Sequence, residues 1–325
     1  MKTVLVSGAS GIVGYGILRS LKASGRHVRL IGTSIYDDSV APGFCDIFEL
    51  APPTSDPSYI EWLLTTIGKH RVDLIVPGIE IDLYEWTEHA GEIAKSGTHA
   101  LLNNPKLVSL CKDKWQFHEQ LRRTGTSCVI DSSLGTEYAK LAERFGLPFL
   151  LKPRRGFGAR GIVRIDSEAD FVRCRANIGP ILMAQPIVGN DEEEFTTSAF
   201  CDGTGGFYAS MTLRRKLSRD GYTEKAEVAA SDEFIGTLSE LCTAFRPTGP
   251  TNFQFRRCAD GIKLLEINPR ISSSTSIRTA FGYNESAMAV DYFLDQRKPE
   301  QPVLRRGRAV RYTEDFIFYD DRLHL

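Results

Sequence analysis

The first hundred residues alternate two periods. TVLVSGA (3–9), HVRLIGT (27–33) and VDLIVPG (72–78) are short runs rich in β-branched residues, and HALLN (99–103) is a fourth. Between them GIVGYGILRSLKASG (11–25), Tyr59–His70 and the stretch near Leu83–Lys95 carry apolar residues at helical spacing. Repeated strand–helix units imply a parallel sheet joined by right-handed crossovers. Residues 1–104 are therefore expected to form an α/β domain.

After NNPK (103–106), which starts a helix expected to reach about Gly125, the pattern changes. FLLKP (149–153) and GIVRI (161–165) read as two strands joined by a loop of glycines and arginines. A helix near Glu168–Ala176 and a strand in ILMAQPIVG (181–189) follow. EFTTSAF (194–200), GGFYASMTLRR (205–215) and EKAEVAA (224–230) predict an antiparallel sheet, and Asp232–Phe245 a helix. FQFRRCADGIKLLEIN (253–268) is a hairpin turned at Ala259-Asp260-Gly261. The tail from about Gln296 is rich in proline and charge before a strand-like AVRYTEDFIFY.

Composition excludes several classes. The net charge of −1 is spread along 325 residues, without the clustered basic footprint of a nucleic-acid binder. Seven scattered cysteines with no CxxC pair read as reduced thiols. MKTVLVSGAS reads as a strand and turn rather than a signal peptide. No apolar run approaches the ~20 residues that span a bilayer. The expectation is a soluble cytoplasmic protein with neither nucleic acid nor membrane as partner, and a homodimer as the commonest assembly.

GASGIVGYG (8–16) follows a strand and opens a helix, where a phosphate can sit at the helix N-terminus. The acidic residue expected at the end of the second strand is missing; the chain gives Gly32-Thr33-Ser34. Tyr222 and Lys225 are three apart, not the four of a Tyr-x-x-x-Lys pair. A tight turn that packs helix on strand is the plainer reading. LLKPRRGFGARGI (150–162) is a stronger phosphate feature: Lys152 on a strand, then Gly156, Gly158 and Gly161 among Arg154, Arg155 and Arg160. Glycines let backbone N–H groups approach a polyphosphate. Taken alone the stretch reads equally as an exposed basic hairpin.

The most informative stretch is KLLEINPRISSSTS (263–276). On a strand, Glu266, Asn268 and Arg270 share one face, and polar groups buried there must be satisfied. Gln254 lies across the hairpin. Gln254, Glu266 and Asn268 are hard oxygen donors suited to Mg²⁺, and Arg270 can fork onto a phosphoryl oxygen. A buried Glu–Arg pair would explain two of these residues and leave Asn268 and Gln254 without a role.

These pieces occur in the order of the ATP-grasp superfamily, and NFQF…LLEINPRISSSTSIRTAFGYN (252–284) resembles the synthetase halves of the carbamoyl-phosphate synthetase large chain. The resemblance implies an α/β and α+β chain. It comprises an N-terminal Rossmann-like pre-ATP-grasp domain (1–104), a small subdomain carrying the phosphate lysines and the Gly-rich loop (105–184), and a large C-terminal subdomain with the tail (185–325). It implies ATP and Mg²⁺, two ions with Mn²⁺ able to substitute. Lys114 and Lys152 would contact the phosphates under the loop of Arg155, Gly156, Gly158 and Gly161. The backbone of Gln185, Pro186, Ile187 and Val188 would read the adenine. Glu194 would bind the ribose, with Glu192 and Glu193 as alternatives. Gln254, Glu266 and Asn268 would ligate Mg²⁺, while Arg270 and Lys152 would serve catalysis.

The implied activity is that of a stand-alone ligase joining a small carboxylate, through an acyl phosphate, to an amine or amino acid. On the substrate side stand Arg214, Arg215, Ser272, Ser273 and Ser274. Arg214 and Arg215 read equally as a charged strand edge. Glu80 and Asp82, at the edge of the first sheet, read as amine contacts or solvated loop acids. Competing readings are a small-molecule kinase on the same scaffold, an NAD(P)-dependent oxidoreductase resting on GASGIVG, and a nucleotide-binding sensor.

Overall fold

The computed structural model describes residues 1–156 and 161–319. Its first hundred residues run β1 (Lys2–Val6), α1 (Ile12–Ala23), β2 (Val28–Ser34), α2 (Ala41–Phe44), β3 (Ile47–Leu50), α3 (Tyr59–His70), β4 (Leu74–Val76), α4 (Glu80–Glu88), α5 (Ala90–Lys95) and β5 (His99–Ala100). The strands pair in parallel in the order β3-β2-β1-β4-β5. Alternate residues serve opposite faces: Val4 and Val6 pack with Ile17 and Leu21, and Leu5 with Leu63, Ile67 and Trp86. Both faces are thus covered, as parallel sheets require. β3 and α2 were not expected. IFEL is only partly buried, so its apolar signal is weak. The helix expected at 83–95 is two, meeting at His89.

The glycines of 8–16 are explained by packing. Gly8 has φ +57, and a Cβ on Gly14 would stand 2.2 Å from the Gly8 carbonyl oxygen, so α1 starts against the backbone of the turn. The hydroxyl of Ser34, at the end of β2, bonds that of Ser10 at 2.9 Å.

The rest of the chain is α6 (Pro105–Cys111), α7 (Lys114–Arg123), α8 (Tyr138–Phe145), β6 (Phe149–Pro153), β7 (Val163–Ile165), α9 (Glu168–Cys174), β8 (Leu182–Pro186), β9 (Glu194–Asp202), β10 (Phe207–Leu217), β11 (Thr223–Val228), α10 (Asp232–Phe245), β12 (Thr248–Cys258), β13 (Gly261–Asn268), α11 (Thr275–Ala280), α12 (Glu285–Asp295) and β14 (Arg308–Val310). β7-β6-β8 form a three-stranded antiparallel sheet packed on α8 and α9. β13-β12-β9-β10-β11-β14 form the six-stranded antiparallel sheet.

The expected helix from 105 to 125 breaks at Lys112-Asp113, because the Asp113 carboxylate accepts the N–H groups of Trp115 and Gln116 and starts a new helix. Leu107, Leu121 and Cys128 share their core with Phe195, Phe253 and Phe234. Residues 105–128 therefore pack on the six-stranded sheet, not the three-stranded one that the expected boundaries gave them. Likewise Ala289 and Val290 of α12 join the core of the first sheet. No described helix is long and apolar enough to cross a membrane.

Substituting Gly14→Ala is expected to destabilise the protein by about 1–3 kcal/mol, read as a lower urea midpoint. Fluorescence titration of the unaltered protein with NADPH is expected to show no binding.

Candidate active site

The hairpin of β12 and β13 builds the platform. Gln254 pairs with Glu266, but the next partners are Phe255 and Leu264, so Leu265 is an extra residue in a bulge. Gln254 Nε2 donates to Glu266 Oε1 at 2.6 Å and Asn268 Nδ2 donates to the same oxygen at 3.0 Å. Gln254, Glu266 and Asn268, read from the sequence as an oxygen-donor set across the hairpin, are thus brought together. Arg270 arrives differently. β13 ends at Asn268, and a turn closed by the Arg270 N–H on the Asn268 carbonyl (2.8 Å) carries the chain on. Arg270 Nη2 lies 3.4 Å from Asn268 Oδ1 and 3.0 Å from Glu80 Oε2. Among the described residues its buried Nε has no partner.

Two lysines from other elements act on this platform. Burial pushes the Lys152 ammonium, on β6, below the ordinary lysine value, and the Glu266 charge pulls it back up. Burial pushes the Glu266 carboxyl up. The Lys152 charge, the Asn268 hydrogen bond and the Lys114 and Arg215 charges outweigh burial and hold it below the usual carboxylate range. Glu266 is therefore an anion at neutral pH. Lys114, the first residue of α7, donates from Nζ to the Gly156 carbonyl at 2.8 Å, and its backbone N–H donates to the Arg154 carbonyl at 2.8 Å. Asp113 holds the same loop from below, through Arg154 at 2.8 Å and Arg155 at 3.3 Å. Gly156 and Gly161 have φ +112 and +77, which only glycine adopts without strain. Gly158 and Arg160 lie outside the described residues.

Other expected contacts find different surroundings. Glu194 is enclosed: Arg215 Nη2 reaches Oε1 at 2.9 Å and Arg256 Nη2 reaches Oε2 at 2.6 Å, leaving little of its carboxylate for a ribose. Glu192 is open to solvent, 3.3 Å from Lys216 Nζ. Arg215 does not face an open substrate pocket; it is 7% exposed and also donates to Gln254 Oε1. Arg214, on the opposite face of β10, is tied to the Glu192 carbonyl (2.6 Å) and to Glu227 (3.2 Å). Ser272 accepts from Arg278 Nη1 at 2.7 Å, and Ser274 shares a 2.9 Å bond with Thr223, so both hydroxyls are used inside the fold. The Ser273 carbonyl accepts from Arg311. Gln185 Nε2 donates to Ser132 at 2.9 Å, the Val188 carbonyl accepts from Arg256 at 3.3 Å, and Ile187 is exposed. Pro186 has no N–H to offer.

Several supporting residues had little sequence signal. Arg278 and Glu285 are fully buried, 3.4 Å apart, and Arg278 also reaches Asn252 and Thr196 beside the platform. Asp113 did have a signal, an aspartate just before a helical run. Burial, and then the charges of Glu80 and Glu266, push the Cys111 thiol well up, so it is no ready nucleophile.

The donor set suits Mg²⁺. One carboxylate and two amides carry hard oxygens, and no group of three His, Cys, Asp or Glu able to hold a metal ion exists among the described residues. An ion held here would keep positions for phosphate oxygens and water. Because the Glu266 value is depressed on folding, its stabilising share is present above the unfolded value of about 4.3 and is lost as pH falls through the folded value. Glu266→Gln is expected to lower the urea midpoint at pH 7, with the gap to the parent narrowing below about pH 4.

A family model described as "ATP-grasp in the biosynthetic pathway with Ter operon" matches residues 182–316. The carbamoyl phosphate synthase large chain of Paenarthrobacter aurescens is 26% identical over 233 residues, 67% of this chain and 21% of that protein. The chain thus spans about a fifth of the length of that relative. The structure of N5-carboxyaminoimidazole synthetase from Staphylococcus aureus superposes with a TM-score of 0.72 at 18% identity, covering 93% of this chain and 80% of that one. A biotin carboxylase–β,γ-ATP complex from Campylobacter jejuni gives 0.72 at 18%, covering 94% and 74%. Residues 182–316 thus match an ATP-grasp family model, and the chain shares the fold of these two enzymes.

Proposed function

We propose that the chain is an ATP- and Mg²⁺-dependent ligase that activates a small carboxylate as an acyl phosphate and joins it to an amine. The observation that supports this best is the ionised Glu266, bonded by the amides of Gln254 and Asn268 and held anionic by Lys152 and Lys114. Such a group suits a nucleotide carrying its own metal. Mg²⁺ bound by Glu266 and the Asn268 and Gln254 oxygens would neutralise phosphate charge.

The chain's own residues would do the rest. Lys152 and Lys114 would draw the phosphates toward the platform. Arg270, whose Nε is free of protein partners among the described residues, would receive charge on the transferred phosphoryl group. Phosphoryl transfer needs positioning and charge neutralisation more than covalent help, and the protonated Cys111 agrees with a route lacking an enzyme nucleophile. Ile187 and Val188 would offer N–H groups to the adenine. Exposed Glu192 suits the ribose better than enclosed Glu194. Displacement of phosphate from the acyl phosphate by an amine completes the reaction, with ADP and phosphate as by-products.

The test is ADP release in MgATP across a matrix of small acids and amines, with mass spectrometry of the product. ADP release is expected to require an acid, and the product mass to equal acid plus amine less water. Glu266→Ala is expected to slow turnover roughly 10²-fold or more. No ATP binding with Mg²⁺ present, or full turnover by Glu266→Ala, would show the reading wrong. ADP release that needs no second acceptor would point to a kinase.

A further inference from the structure

Glu80 belongs to the first domain, yet it touches the platform. The turn between β4 and α4 is tight: a Cβ on Gly78 would lie 2.0 Å from the Ser7 carbonyl oxygen. That turn fixes where α4 begins, and Glu80 is its first residue. Tyr84, one turn later on the same face, donates its hydroxyl to Glu80 Oε1 at 2.7 Å. Lys112 Nζ sits 4.8 Å from the centre of the Tyr84 ring. Glu80 Oε2 accepts from Arg270 Nη2 at 3.0 Å, and the two side chains are only 13% and 16% exposed. A polar chain therefore runs Tyr84–Glu80–Arg270–Asn268–Glu266 from the first domain to the metal-ligand set.

Arg270 stands outside the strand, on a turn, so the ladder does not fix its direction. Its own backbone contact, Nη1 to the Ile271 carbonyl at 3.1 Å, is a neighbouring residue and holds it weakly. The Glu80 carboxylate is the one charged group of the described residues that pairs with it.

We infer that Glu80 is a positioning residue: anchored by Tyr84, it holds the Arg270 guanidinium at the edge of the platform so that the remaining N–H groups face the phosphoryl group in transfer. This rests on the ATP-dependent reading above. Glu80 acts through Arg270 and only once a phosphoryl group is in flight. Its loss should leave nucleotide binding alone and weaken the transfer state.

The experiment is calorimetric titration of the full chain with MgADP alone, then with MgADP and aluminium fluoride as a mimic of the phosphoryl group in transfer. Glu80→Gln is expected to bind MgADP within twofold of the parent and the aluminium fluoride complex about ten- to a hundredfold more weakly. In an Arg270→Ala background Glu80→Gln is expected to add nothing, since the two act as one unit. Tyr84→Phe, which keeps the ion pair and loses only its anchor, is expected to show a smaller loss with the same dependence on Arg270, and it decides the matter if Glu80→Gln does not fold. Three results overturn the inference while sparing the ATP reading: Glu80→Gln binding the mimic as the parent does, additive effects of the two substitutions, or a parent that gains nothing from aluminium fluoride. A parent that fails to bind MgADP at all removes both.

Discussion

The Glu266 carboxylate is the point at which separate parts of the chain have to agree. It is an anion on a partly buried strand, bonded by two amides of its own hairpin, and burial alone would drive it to the neutral form. The largest of the charges that hold it down, that of Lys152, comes from outside the sheet, as does that of Lys114. Lys152 sits on a strand of the three-stranded sheet and Lys114 begins a helix packed on the six-stranded one. The salt bridge of Asp113 to Arg154 ties those two supports together immediately beside the lysines. The electrostatics of one carboxylate thus constrain how both sheets and α7 sit.

Beside that carboxylate the same face of the sheet is polar, and the polarity has a geometric job. β9 is buried nearly end to end; Phe195, Ala199 and Cys201 face an apolar core, while Glu194, Thr196 and Ser198 lie on the platform's face, with Thr196 paired to Gln254. Those polar groups are met by Arg215 and Arg256 on one side and by Arg278 on the other. Buried ion pairs add little net stability, because desolvation offsets their attraction, but removing one partner costs about 3–5 kcal/mol. Such pairs suit register more than strength. Arg215 in particular spans Glu194 and Gln254, so the same guanidinium that closes a buried pair also fixes the Gln254 amide.

The sequence made part of this legible. Period-two alternation placed Glu266, Asn268 and Arg270 on one face with Gln254 across the hairpin; the structure joins Gln254, Glu266 and Asn268 and puts Arg270 on the turn after the strand. Strand–helix repetition identified the parallel sheet of the first hundred residues. What it missed shares a cause. α11 begins in SSSTS, which reads as loop; it is a helix because Thr275, Ile277 and Arg278 pack inward. The pair Arg214 and Arg215 had to split between two faces of β10, but only the neighbours Glu194 and Gln254 tell which one turns inward. The acidic run 192–194 hid a buried residue behind exposed ones for the same reason. Long-range partners decide these cases, and a local window contains none of them.

The Glu80–Arg270 contact is the long-range ion pair that joins the first sheet to the platform. Open parallel sheets place ligands at the carboxyl ends of their strands, and Glu80 stands just beyond the end of β4. Arg270 stands just beyond the end of β13 on the other side. The pair therefore ties the first sheet to the platform, and each side chain spends its charge on the other at 3.0 Å, with 13% and 16% exposed. The two residues stand 190 positions apart, which is why neither, read by itself, disclosed the other.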